Sequence, residues 1–175
     1  MAITMSINLA SLNGNNGFRL DEVAEGDFSG KSVSNAGDVN GDGFDDVVIG
    51  CFLAGDPNAY SPGSSYVVFG KASGFSATME LSSLDGSNGF RLDGVTSSDY
   101  SGRSVSDAGD VNGDGFDDVI VGAHGADSNG ERSGSSYVVF GKASGFSAMI
   151  DLSNLDGSNG FRLDGVTVGD YSGRS

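Results

Sequence analysis

Apolar residues fall in short clusters along this chain and never settle into a helical period. Residues 46–49 and 65–69 are unbroken apolar-rich runs of Val, Ile, Tyr and Phe bordered by glycine or serine. Runs of about five residues with such borders predict strands covered on both faces. The stretch at 32–39 is rich in Ser, Ala and Gly and reads as an inner strand where space is tight. GFRLD at 89–93 is shorter and more polar, as an outer edge strand should be. No window of 11 or more residues carries a 3.6-residue apolar period, so helix content should be close to nil.

These four predicted strands repeat. NGFRLD with a downstream SGKS or SGRS occurs at 16–32, 88–104 and 159–175. SVSNAGDVNGDGFDDVVIG at 32–50 returns as SVSDAGDVNGDGFDDVIVG at 104–122, and GSSYVVFGKASGFSA occurs at 63–77 and 134–148. Phe18, Phe90 and Phe161 are spaced by 72 and then 71 residues. The missing residue falls in a variable segment, CFLAGDPNAYSP against AHGADSNGERS, and a change of length there marks an exposed loop. A repeated four-stranded unit with covered faces predicts an all-β fold of β-propeller blades, each of four antiparallel strands. The expected organisation is an outer-strand segment of a preceding blade at 1–30, blades at 31–102 and 103–165, and the start of a third repeat at 166–175. Two blades do not close a ring of 4–8. The stop at Ser175, where a third inner strand would begin, leads to the expectation of a piece of a longer chain, completed by its further blades or by other copies. A third loop is then due about six residues beyond Ser175.

Composition narrows the chemistry. The formal net charge is −15 over 175 residues, which makes nucleic acid and anionic membrane surfaces poor partners. The acids are not gathered in a tail; many sit in DVNGDGFDD, at 38–46 and again at 110–118. Thirty glycines against two prolines imply many tight turns. One cysteine excludes an internal disulfide framework; Cys51 matches Ala123 of the next repeat and reads as a small buried residue. No apolar run approaches the ~20 residues of a membrane span. MAITMSINLASLNG lacks a basic segment followed by an apolar core, so no signal peptide is read there.

The DVNGDGFDD loops carry the candidate site. Asp38, Asn40, Asp42 and Asp46 set side-chain oxygens at positions 1, 3, 5 and 9, and the Phe44 carbonyl fills position 7. Asp110, Asn112, Asp114, Asp118 and the Phe116 carbonyl do the same in the second loop. Gly41, Gly43, Gly113 and Gly115 permit the positive φ angles needed to curl the chain round an ion. Oxygen donors at this spacing suit Ca²⁺, one site per repeat and two in all, with water completing the shell; Mg²⁺ is less suited because it keeps its waters. Asp45 and Asp117 should point away and support by hydrogen bonding. An EF-hand is excluded, since position 12 is Ile49 or Val121 and strand formers follow. The bland alternative is an acidic turn that binds no metal.

GDVNGDGFDDVVIG, with SGKS or SGRS upstream and YVVFGK downstream, resembles the FG-GAP repeat of integrin α-subunits and of many bacterial surface and secreted proteins. The element that usually reads Phe-Gly is Phe28-Ser29-Gly30 here. The near identity of the copies points to recent duplication, as in large bacterial repeat proteins. The resemblance implies a β-propeller with Ca²⁺ in hairpin loops between the first and second strands of blades, and a secreted or cell-surface, adhesion-type protein. A protein or glycan ligand would be met by the variable loops 52–62 and 124–133. The alternatives are the non-catalytic propeller portion of an extracellular hydrolase and a pure structural spacer. No enzyme is expected: one His and one Cys leave no acid–base constellation. Lys71 and Lys142 in FGKASGF do not sit in a phosphate-binding loop. Arg19, Arg91 and Arg162 are expected to pair with Asp21, Asp93 and Asp164.

Overall fold

A computed structural model describes residues 8–54 and 60–175. The expectation of no leader at the extreme N-terminus, and that for 55–59 of the first variable loop, lie outside the described residues.

The four strands read from each period form. In the first blade they are β2 (Ser32–Gly37), β3 (Asp46–Cys51), β4 (Ser64–Val68) and β6 (Gly89–Asp93). The second blade has β7 (Ser104–Gly109), β8 (Asp118–Ala123), β9 (Ser135–Val139) and β11 (Gly160–Asp164). Within each blade neighbours are antiparallel and in chain order from the inside outward. The third strands, SSYVV, are buried at every position, because sheet neighbours lie on both sides and other blades or loops cover both faces. β1 (Arg19–Asp21) represents a preceding blade. The result is a partial propeller of two blades and an extra strand segment. Helical turns among the described residues are confined to three 3₁₀ turns, at Leu9–Ser11, Leu81–Ser83 and Leu152–Asn154, and no helix is long and apolar enough to cross a membrane.

One expectation is corrected. Gly89–Asp93 is not the edge of its sheet: β10 (Met149–Asp151), from the second repeat, pairs parallel with it as a fifth strand. β5 (Thr78–Glu80) pairs with β1 in the same way. Each repeat therefore reaches back to cap the outer strand of the blade before it, covering an otherwise open ladder.

The same return path carries a phenylalanine. Phe146, from the FGKASGF loop of the second repeat, stacks on Phe90 at 4.6 Å and lies 5.5 Å from Phe69. Phe75 stacks on Phe18 at 4.0 Å one repeat earlier. Lys142 and Lys71 lie over these two rings. Phe146 joins Val48, Val67, Leu92, Val119 and Val121 in one buried core that spans both blades. Gly50 makes close approach possible: a β-carbon there would stand 2.0 Å from the Gly102 carbonyl oxygen, and Gly122 stands in the same relation to Gly173. Cys51 is buried, and burial pushes its thiol up to about 11, consistent with a packed residue. The three expected Arg–Asp pairs form, Arg91–Asp93 at 2.7 Å, Arg162–Asp164 at 2.8 Å and Arg19 with Asp21.

The turn leading into β7 holds Asp99, only 6 % exposed, whose carboxylate accepts the Thr96 N–H at 3.1 Å. Burial, helped by the charge of Asp127, pushes Asp99 up to about 6 against that hydrogen bond. The folded value lies above the unfolded one near 4, so the cost of ionisation builds as pH rises from about 4 to about 6, is complete above that, and vanishes only near pH 3 and below, where both states are protonated. Asp99→Asn keeps the acceptor for Thr96 and is expected to stabilise the fold by about 1–2 kcal/mol at pH 7.5, discounted for solvent at the rim, and by almost nothing near pH 3. Melting curves of both proteins at the two pH values check this; an equal gain at both would remove the charge as its cause.

Candidate metal-binding loops

Each DVNGDGFDD loop joins the first and second strands of a blade, β2 to β3 and β7 to β8. The ladder is interrupted by a bulge just before each, between Asn35 and Gly37 and between Asp107 and Gly109. Gly41, Gly43, Gly113 and Gly115 adopt φ of +74°, +87°, +76° and +94°, so the chain curls as glycine at these positions allows.

The side chains at positions 1, 3 and 5 fold onto the loop itself. Asp38 accepts the N–H of Asp42 on Oδ1 at 3.0 Å and that of Gly43 on Oδ2 at 2.8 Å. Asn40 Oδ1 accepts Asp42 N–H at 2.9 Å, and Asp42 Oδ1 accepts Phe44 N–H at 2.9 Å. Asn40 Nδ2 donates to Asp42 Oδ2 at 3.2 Å. The second loop repeats the set: Asp110 accepts from Gly113, Asp114 and Gly115, Asn112 from Asp114, and Asp114 from Phe116. The structure thus brings Asp38, Asn40 and Asp42, and Asp110, Asn112 and Asp114, onto one exposed turn each.

Asp46 and Asp118 sit deeper, fully buried at the start of the second strands. Asp46 accepts Val39 N–H on Oδ2 at 3.0 Å and Gly70 N–H on Oδ1 at 2.8 Å. Asp118 accepts Val111 N–H at 2.9 Å and Gly141 N–H at 2.9 Å. These acids latch the loop base to the chain leaving the third strand, a structural duty that their position in the motif did not reveal. Burial, the largest cause, pushes Asp46 up to about 6; its two N–H donors oppose this, and the charges of Asp42 and Asp38 add to it. Asp118 is raised by the same set of causes.

The two loops also brace one another. Asp117 Oδ2 accepts the Asp38 N–H at 2.8 Å, and Asp117 N–H donates to the Asp38 carbonyl at 3.3 Å. The Phe116 ring lies against Gly41, where an added β-carbon would meet it at 2.3 Å. Asp117 therefore has the supporting role expected of position 8, although its partner belongs to the other blade. The pattern within one loop could not give that partner; only the packing of adjacent inner strands does.

Among the described residues no three His, Cys, Asp or Glu side chains close on a common point as they stand. The donor set is nevertheless hard oxygen throughout, and each bonded carboxylate oxygen retains a further lone pair. A hard divalent cation could be held by position 1, 3 and 5 side chains without breaking the bonds that fix the turn.

Residues 102–139, from the approach to β7 through the end of β9, match the family model "FG-GAP repeat". The chain is 33% identical over 144 residues to integrin alpha pat-2 of Caenorhabditis elegans, covering 79% of the chain and 11% of that protein. It is 37% identical over 98 residues to integrin alpha-PS5 of Drosophila melanogaster, covering 56% and 9%. Against integrin alpha-4 of Xenopus laevis it is 32% identical over 102 residues, covering 57% and 9%. The aligned stretches span about a tenth of the length of these relatives.

Proposed function

We infer that this chain, which carries the FG-GAP repeat of integrin α-type propellers, is a calcium-stabilised binding module of a secreted or cell-surface adhesion protein. The observation that carries the reading is the duplicated loop of hard oxygen donors, pre-curled by its own N–H bonds at the same place in both blades. Asp38, Asn40, Asp42, Asp46 and the Phe44 carbonyl would hold one Ca²⁺; Asp110, Asn112, Asp114, Asp118 and the Phe116 carbonyl the other. The ion supplies positive charge where carboxylates crowd, and the chain supplies the fixed turn. The millimolar calcium outside cells keeps even weak sites filled. The module is non-catalytic, and its partner is met through the variable loops 52–62 and 124–133.

Calorimetric titration of chelator-stripped protein with CaCl₂ tests this. Two sites are expected, with about tenfold or weaker binding of MgCl₂. Asp110→Asn should abolish one site and weaken the other, because Asp117 and Phe116 link the second loop to Asp38 and Gly41. Absence of calcium heat in the parent protein would refute the reading.

A further inference from the structure

We propose that the chain modifies itself at Asn40 and Asn112. The backbone nitrogen of the following glycine closes on the side-chain carboxamide, ammonia leaves, and water opens the resulting succinimide to aspartate or isoaspartate. The modification needs no metal; only its control by calcium rests on the calcium reading.

Asparagine precedes glycine seven times in this chain. Ring closure needs the glycine nitrogen to reach the asparagine Cγ, and the missing β-carbon eases that approach at all seven. Packing separates them. Of the seven glycines only Gly41 and Gly113 are exposed; the others are half-buried or buried.

The turn before each outer strand holds its asparagine at both ends. Asn88 Oδ1 accepts the Asp85 N–H at 3.0 Å, and Nδ2 donates to the Ser83 carbonyl at 3.1 Å. Asn159 and Asn16 repeat this pair of main-chain bonds. Gly89 and Gly160 then open their strands, β6 and β11. A β-carbon on either would stand 2.2 Å from a carbonyl oxygen of the third strand, Val67 or Val138. A backbone packed so closely cannot swing its nitrogen onto Cγ. At the other two pairs the nitrogen itself is engaged: Gly14 N–H donates to the Gly17 carbonyl at 2.9 Å, and Gly130 N–H to that of Asp127 at 3.2 Å.

In the DVNGDGFDD loops both carboxamide bonds go to one residue of the same exposed turn. Asn40 Oδ1 accepts the Asp42 N–H at 2.9 Å and Nδ2 donates to Asp42 Oδ2 at 3.2 Å. Asn112 is tied to Asp114 in the same way, at 2.9 and 2.8 Å. The N–H on Oδ1 sits where negative charge builds as the ring closes, so it favours the step. Gly41 N–H has no hydrogen-bond partner among the described residues, which offsets the cover that the Phe116 ring gives one side of Gly41. Gly113 N–H donates to Asp110 Oδ1 at 2.7 Å, but nothing stands within 4 Å of a β-carbon built there.

The atoms balance without an oxidant or a second substrate. The glycine N–H proton passes to water, the leaving amide takes up a proton and departs as ammonia, and one water adds when the ring opens. Opening at one carbonyl places a new carboxylate at position 3. Opening at the other adds a methylene to the main chain between positions 3 and 4 and displaces every later donor. A cation held by Asn40 Oδ1 and Asp42 would keep the carboxamide off the nitrogen. A filled loop is thereby preserved, and an empty one ages.

Peptide mapping by mass spectrometry, during incubation of the full chain at mildly alkaline pH in chelator or in excess CaCl₂, tests the proposal. In chelator, amide-to-acid conversion at Asn40 and Asn112 is expected at least about fivefold faster than at Asn88 and Asn159, whose main-chain bonds must break first. Enzymatic methylation should find isoaspartate at the same two positions. Asn40→Gln with Asn112→Gln should suppress most ammonia release, because the longer side chain closes a six-membered ring less readily; an unchanged circular dichroism spectrum would show that this variant folds. Conversion at Asn88 or Asn159 as fast as in the loops, or undiminished ammonia release from the double variant, would overturn the proposal. CaCl₂ is expected to slow the loop positions and leave Asn88 unaffected. Loop conversion indifferent to CaCl₂ in a protein that gives calcium heat would overturn the control by calcium. Loop conversion in a protein that gives no calcium heat would remove the calcium reading and leave the modification standing.

Discussion

Treatment with EDTA is expected to lower the melting temperature by more than about 5 °C, restored by excess CaCl₂ and less fully by MgCl₂. In each loop the carboxylates of positions 1 and 5 share one exposed turn, and that of position 9 is buried beneath it. Two like charges about 4 Å apart repel by ~4 kcal/mol at an effective dielectric near 20. For a chain of this length each kcal/mol moves the midpoint by about 2–4 °C, so even partial relief by relaxation of the bare loop leaves a shift above the stated threshold. The braces from Asp117 and Phe116 transmit the loosening of one loop to the next blade. Differential scanning calorimetry with and without chelator measures it. A melting curve indifferent to EDTA would leave the loops as ordinary acidic turns.

Much of the fold was legible because its signals are local. The runs at 46–49 and 65–69 gave strands that form at Asp46–Cys51 and Ser64–Val68, and GFRLD matches Gly89–Asp93. What sequence hid is the return path. Thr78–Glu80 and Met149–Asp151 are three-residue strands whose partners lie in another repeat, and so short a segment carries no periodicity. The loop motif revealed its donors, since Asp, Asn and Gly at fixed offsets act within one turn. It did not reveal that Asp46 is a buried latch on Gly70, or that Asp117 serves Asp38 of the neighbouring blade.

Phe146→Ala is expected to destabilise the chain by about 3–5 kcal/mol, the cost of emptying a buried aromatic site. The ring stacks on Phe90 and meets Phe69, so it contributes to the core of a blade that is not its own. Its loss should also loosen β10, which enters the first blade just downstream and pairs with β6. Urea denaturation should show a lower midpoint, and hydrogen exchange should quicken at Met149–Asp151 and Gly89–Asp93 before the inner strands. Phe75→Ala is the internal comparison. Phe75 stacks on Phe18 in the same manner, but it is half-buried and its acceptor blade is represented by little more than β1. A loss about half as large or less is expected there. Equal losses at the two positions, or exchange that quickens uniformly, would mean that the phenylalanine packs only locally. The predicted inequality instead makes the FGKASGF loop the joint between repeats, with each blade completed by the one that follows it.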